Sequence, residues 1–242
     1  MSDQRPHLPP LIAVVGCDGS GKSTVSKELF VLAERFGSAA TAHLGKQQGN
    51  SGRWFSRLPL VGGWFEQVIE RKASGVQSSR DDNKAPELFP AIVMYAFTLR
   101  RVLRFRRMMQ LRKKGLIIIA DRYPQLDIPS ASDGPDMSVT AQGSRFVHWL
   151  ARREQTAFEW MTSYRPDLVI RLNVDLDTAC ARKPDHLRSV LKRKQATVPQ
   201  LTFNGAKIVE IDSNLALEEV LSSAKSTFIQ TMAELGYQNP TP

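Results

Sequence analysis

Five short, largely apolar segments, separated by stretches of helical periodicity, set the plan of this 242-residue chain. The first, Leu11–Val15 (LIAVV), is continuous and branched and stops at Gly16, as a strand buried on both faces does. Residues 22–36 follow with Val25, Leu29, Leu32, Ala33 and Phe36 at helical spacing, ending at Gly37. Ala39–Leu44, Leu116–Ala120 (LIIIA), Leu168–Val174 and Lys207–Ile211 read as four further strands, and 88–113, 143–163, 176–194 and 215–235 as helices. Strands alternating with helices predict βαβ units: an α/β fold with a parallel five-stranded sheet and helices on both faces.

Residues 45–86 break the pattern. They hold six glycines, four aromatics (Trp54, Phe55, Trp64, Phe65) and the polar run SSRDDNK, with 64–72 as a short amphipathic helix. Long stretches without periodicity are often functional or disordered, so about 45–90 is read as an insertion or acceptor segment: a satellite cluster under a loop is the commonest explanation, with a substrate lid, a dimer contact or a membrane-touching edge as the other options. Residues 1–10 read as a flexible tail and 11–237 as one domain. No apolar stretch reaches the roughly 18 residues of a membrane helix and no secretory h-region precedes Leu11, so a cytoplasmic protein is expected. Two cysteines, Cys17 and Cys180, are too few for a disulfide framework. The net charge of +9 favours polyanionic partners without choosing among phosphorylated small molecules, nucleic acid and anionic membrane.

Chemistry enters at GCDGSGKST, residues 16–24, which fits G-x-x-x-x-G-K-[ST] between a strand and a helix. Gly16, Gly19 and Gly21 let the backbone curl so that amides of this loop, through Asp18, Ser20 and Thr24, point at phosphate oxygens. Lys22 reaches the β- and γ-phosphates, the helix dipole adds positive potential, and Ser23 is a ligand for Mg²⁺. Asp121, at the end of a neighbouring buried strand, is the second expected metal residue, through metal-bound water. ATP and Mg²⁺ are therefore the expected cofactors.

Asp121-Arg122-Tyr123 resembles the Asp-Arg-[Tyr/Phe/His] motif of the thymidylate kinase family. Phe97-Thr98-Leu99-Arg100-Arg101 is similar to that family's Phe-Ala-Ala-Asp-Arg segment, RPDLVIRLNV to its Pro-Asp-Leu strand, and KIVEIDSNLALEEV to its last strand and helix. The resemblance implies a P-loop kinase with a mobile basic lid at about 180–200, usually dimeric. It also implies an acceptor site in which Asp18 contacts a sugar, Phe97 stacks on a base, Arg101 hydrogen-bonds that base and Arg122 grips the acceptor phosphate. A lid arginine would neutralise charge on the transferring group, with Arg182, Arg188 and Arg193 as candidates and Arg182 placed first. The chain departs from the family where an Arg-Glu-Pro-Gly turn is replaced by HLGKQQG, leaving His43 and Lys46 as substitutes, and where PQLDIPSASDGPD replaces Ala-Tyr-Gln.

The basic run Arg100–Lys114 reads mainly as a solvated helix face with Leu99, Val102, Leu103, Met108, Met109 and Leu111 buried beneath it. The leading functional expectation is an ATP-dependent phosphotransferase of the nucleoside-monophosphate kinase kind, with a dTMP-like acceptor and a homodimeric state. A kinase of another phosphomonoester or of a sugar is the alternative. A nucleotide-dependent module contacting nucleic acid or membrane is the reading from a different class.

Overall fold

The computed structural model describes residues 8–45, 86–129, 131–141 and 143–238. Its centre is a five-stranded, all-parallel sheet in the order β2-β3-β1-β4-β5. The strands are β1 (Leu11–Gly16), β2 (Ala39–His43), β3 (Ile117–Asp121), β4 (Leu168–Asn173) and β5 (Ile208–Asp212). The helices are α1 (Lys22–Ala33), α2 (Leu88–Lys113), α3 (Arg145–Thr162), α4 (Leu176–Arg182), α5 (Arg188–Thr197) and α6 (Leu217–Glu234). The architecture is the α/β P-loop type that the apolar runs predict.

Alternation along the buried strands builds a core on each face. Leu11, Ala13 and Val15 of β1, with Ile118 and Ala120 of β3, meet Val102, Phe105, Met108 and Met109 of α2 and Phe158 and Met161 of α3. Ile12 and Val14, with Ile117, Ile119, Leu168 and Ile170, meet Val25 and Leu29 of α1 and Phe228 and Met232 of α6. Because β1 pairs with β3 and β4 at once, its end, the end of β3 and the start of α1 converge on one edge. That edge carries the site.

Four expectations are corrected. Residues 8–10 are not a tail: Leu8 packs on the first core, the Pro9 carbonyl accepts from Arg112 Nε at 2.6 Å, and that of Pro10 from the Ile118 amide at 2.9 Å. The helix expected over 176–194 is two, because Pro184 cannot continue the first and restricts the residue before it. Leu99 and Leu103 are 46% and 64% exposed, while Arg101 and Arg112 are buried. The inward face of α2 runs through Thr98, Arg101, Val102, Phe105, Met108, Met109 and Arg112, a spacing of three and four. Its two arginines are tolerated there because each has a carboxylate partner: Asp133 at 3.1 Å for Arg101 and Asp167 at 2.8 Å for Arg112. Arg112 thereby fastens the N-terminal segment to the start of β4, a structural duty that a reading as solvated charge missed. Residues 46–85, with Lys46 and the short helix expected at 64–72, lie outside the described residues. No described helix is long and apolar enough to cross a membrane.

Candidate functional site: the phosphate loop and its cluster of charges

The loop Gly16–Gly21 leaves β1 and opens α1, and its glycines are there for space and for backbone sign. A Cβ on Gly16 would stand 2.7 Å from the Leu172 carbonyl, and Gly21 caps α1 in the left-handed conformation with φ 83°. Lys22 is 6% exposed and donates from Nζ to the Cys17 carbonyl at 2.6 Å, so the loop holds its own lysine along its length. Burial first, and the Arg122 charge second, lower its pKa to about 8 against the opposing pull of Asp18 and Asp121. The Ser20 hydroxyl is buried in the loop with no hydrogen-bond partner, a polar group suited to a ligand oxygen.

Ser23 Oγ and Asp121 Oδ2 are 3.2 Å apart, and Asp121 Oδ1 is buried without a hydrogen-bond partner. These oxygens, across the α1 start and the β3 end, fit a hard divalent cation that keeps most of its waters. Among the described residues no three His, Cys, Asp or Glu side chains gather to hold a metal unaided. His43 Nδ1 lies 3.0 Å from Asp121 Oδ2, which brings the end of β2 to the Ser23–Asp121 corner. Burial would raise the Asp121 carboxyl, but His43, Lys22 and Arg122 outweigh it and hold it below the usual range.

Arg122 follows at once, with φ 70°, a conformation that aims its side chain across the loop and is costly for a residue with a Cβ. Its Nη2 donates to Asp18 Oδ1 at 2.6 Å, and its Nη1 lies 3.5 Å from Asp133 Oδ2. Gly45 is a close neighbour, for a Cβ there would stand 2.2 Å from Arg122 Cδ. Burial works against the guanidinium charge, but Asp133 and Asp18 more than restore it. Asp18 also receives Lys194 of α5 on Oδ2, with His186 Nδ1 at 3.6 Å from the same atom. Burial would raise its pKa too, yet Lys194 and Arg122 hold it far below the usual carboxylate range.

The expected residues thus divide. Lys22, Ser23, Asp121, Asp18 and Arg122 come together. Arg101 does not reach the cleft: it is 4% exposed, lies over the Phe158 ring at 5.3 Å, and gives Nη1 and Nη2 to the carbonyl and carboxylate of Asp133 at 2.9 and 3.1 Å. Phe97, a turn earlier on α2, is half-buried. Arg182 donates to the carbonyls of Gly19 and Ser213 at 3.3 and 2.9 Å, bracing the back of the loop. Arg188 pairs with Asp177 at 2.7 Å and Arg193 is exposed, so the cation that α5 extends to the loop is Lys194. Asp133 and Lys194 are the residues that sequence reasoning missed. The many cations between Arg182 and Lys194 carry no sign of which one turns inward, whereas the SDG turn at Ser132–Gly134 was a signal that a tight bend presents an aspartate.

The comparisons with known proteins bear on the whole of this layout. A protein of Escherichia coli strain K12 described as "Uncharacterized ATP-binding protein YghR" is 40% identical over 223 residues, spanning 92% of this chain and 88% of its own. A second from the same strain, "Uncharacterized ATP-binding protein YghS", is 41% identical over 217 residues, spanning 88% and 90%. The chain belongs to the YghR/YghS family. Since the match to YghR spans nearly all of both chains, family members share one domain plan rather than a phosphate loop alone. A thymidylate kinase of Xanthomonas campestris pv. campestris strain B100 is a distant relative of this member, 23% identical over 238 residues that span 93% and 85%. No protein-family model matches the chain.

Proposed function

We propose that this protein is an ATP-dependent phosphotransferase whose acceptor is a small phosphomonoester held by Arg122. The observation that carries the reading is the placement of Arg122. It stands one residue past the Ser23–Asp121 metal corner and 2.6 Å from the loop's own Asp18, which sets an anion-gripping fork beside the donor's phosphates. The names of the two E. coli relatives support ATP as the donor, and the thymidylate kinase match supports transfer to a phosphate.

Lys22 and the loop amides would hold the donor triphosphate, and Ser23 with Asp121 would hold Mg²⁺, which supplies charge neutralisation when bound. Asp18 and Asp121 are both held below the usual carboxylate range, which makes them poor general bases. A phosphomonoester needs none, because its attacking oxygen is already ionised at neutral pH. The work left to this chain is positioning and screening of charge. Arg101 is engaged with Asp133 and sealed from the cleft, which favours an acceptor recognised through its phosphate over one whose base is read by that arginine. A dTMP-like acceptor therefore ranks beside other phosphomonoesters rather than ahead of them.

The test is ATP consumption with dTMP, dUMP, CMP, AMP and several sugar phosphates, each against a no-acceptor control. Arg122→Ala should cost about 10- to 150-fold in acceptor kcat/KM while ATP affinity stays within about threefold. ATP turnover that is the same with and without every acceptor, or equal loss of ATP affinity in the variant, would sink the reading.

A further inference from the structure

The phosphate reading leaves Asp133 and Arg101 without a role, although both are built into the molecule with care. Asp133 lies on the loop after β3 at φ 63°, facing Arg122 at φ 70°, so two residues in left-handed backbone meet side chain to side chain. Such strain persists only where the surroundings over-determine it. Here they do. The Asp133 carbonyl accepts from Arg101 Nη1 at 2.9 Å and from the Gln125 amide at 3.3 Å. Gln125, 1% exposed, clamps the loop through Ile128 and the Ser132 carbonyl. Further along, the fully buried Glu154 of α3 accepts from the amides of Asp136 and Met137 at 3.1 and 2.7 Å and from Thr98 of α2 at 2.6 Å. The loop is braced on both sides of the aspartate.

The result is a line of alternating charge from α2 to α5: Arg101, Asp133, Arg122, Asp18, Lys194. Asp133 divides its carboxylate, with Oδ1 to Arg101 and Oδ2 toward Arg122, and so screens two guanidinium groups from each other. Arg101 is 4% exposed, and Arg122, at 23%, is the one of the two that a ligand can reach. Resting on the reading of Arg122 as the acceptor grip, we propose that Asp133 is its positioning residue, and that the buried Arg101 acts on the acceptor phosphate only through Asp133. The proposal gives Arg101 a duty in place of base recognition. It also says why an arginine rather than a lysine sits at 101: two parallel N–H donors fix both the backbone and the carboxylate of one residue.

The test variant is Asp133→Asn. Asparagine tolerates the left-handed backbone, and its oxygen still accepts from Arg101, so what is lost is the charge and the acceptor atom facing Arg122, where the amide now presents a donor. By Coulomb's law alone, removing a negative charge beside Arg122 would tighten binding of an anion. Loss of position does the opposite, since the two guanidinium groups then face each other unscreened and Arg122 swings away. The sign therefore separates the two effects. Acceptor kcat/KM should fall about tenfold in Asp133→Asn, with ATP affinity within about twofold, and should fall no further when Asp133→Asn is added to Arg122→Ala. Arg101→Lys, which keeps the charge and loses the fork, should reproduce most of the loss. An unchanged or improved kcat/KM, or an equal tenfold fall in the Arg122→Ala background, overturns the proposal.

A binding measurement keeps the proposal separate from the kinase reading. With the phosphate loop filled by the β,γ-imido analogue of ATP and Mg²⁺, sulfate titrated calorimetrically should bind wild type and bind Asp133→Asn about five- to tenfold more weakly. If sulfate binding is lost in Arg122→Ala but unaltered in Asp133→Asn, positioning is wrong while the anion grip stands. If neither variant alters it, the grip itself is wrong.

Discussion

Lys22 is expected to be bad for the empty protein and indispensable to the loaded one, so Lys22→Met should stabilise the fold and abolish its response to ATP. The lysine is 6% exposed and its pKa is depressed from 10.5 to about 8, chiefly by burial. A shift of that size corresponds to about 3 kcal/mol of disfavour toward the charged form in the native state. Methionine fills the same space without the charge, but gives up the bond to the Cys17 carbonyl, about 1–2 kcal/mol including the orphaned oxygen. The net expectation at pH 7 is a gain of about 1–2 kcal/mol, or roughly 2–8 °C in Tm for a domain of this size. Between pH 8 and 10.5 the unfolded chain keeps this proton while the native protein sheds it, so wild-type stability from this group rises with pH through that window. Asp18 and Asp121, which also feel the Lys22 charge, are held below the usual carboxylate range and do not titrate in that window. The advantage of Lys22→Met should therefore shrink by about 2 kcal/mol between pH 7 and pH 9.5. Denaturant unfolding of the two proteins without nucleotide or metal, at both pH values, reads it directly. In a parallel scan at pH 7, ATP·Mg at a hundred times its wild-type Kd should stabilise wild type by about 2.7 kcal/mol and Lys22→Met by far less. A variant less stable than wild type at pH 7, or a difference that does not move with pH, would refute the claim that Lys22 is held charged against its surroundings.

Ser23→Ala should raise the Mg²⁺ concentration needed for nucleotide-induced stabilisation by about tenfold without unfolding the protein, because only a short exposed hydroxyl beside Asp121 is lost; an unchanged Mg²⁺ titration would remove Ser23 from the metal corner. Arg112→Ala breaks a pair whose aspartate is 30% exposed and frees the Pro9 carbonyl, so a loss of about 2–3 kcal/mol at constant m value is expected in urea. Phe97→Ala should raise KM for an acceptor with an aromatic base and leave sugar phosphates untouched if the ring borders the acceptor site; a fall in Tm with no change in any KM would make it packing alone.

How much could be read from the chain follows from how far apart the cooperating residues lie. The central strands β1 and β3 were legible because each is almost wholly a contiguous apolar run, and the alternation of Leu11, Ala13 and Val15 against Ile12 and Val14 sends side chains to two helical layers at once. The phosphate loop was legible because its parts span nine residues and the backbone itself makes the chemistry. The break between α4 and α5 was legible too, in Pro184, had its effect on the preceding residue been weighed. Helix α2 was misjudged on its polarity. A periodic reading sorts residues by type, and so it put Leu99 and Leu103 inside and the arginines out. Burial of Arg101 and Arg112 depends on Asp133 and Asp167, which are 32 and 55 residues away.

The charge cluster around Arg122 shares this difficulty throughout. Asp18 meets Arg122 across 104 residues and Lys194 across 176, and no pattern at either end announces the other. What type and spacing can supply is a set of charges; which of them cancel is decided by the fold. Arg122 shows the consequence. Read alone it is a free cation awaiting a phosphate, but in the folded chain it is a cation already between two carboxylates, Asp18 and Asp133. An acceptor bound there must be anionic enough to compete with Asp18 for the fork, yet placed so that Asp133 keeps its hold. That requirement is narrower than positive charge alone, and it favours a compact dianion, such as a terminal phosphate, over the extended polyanions that the net charge of +9 would equally attract.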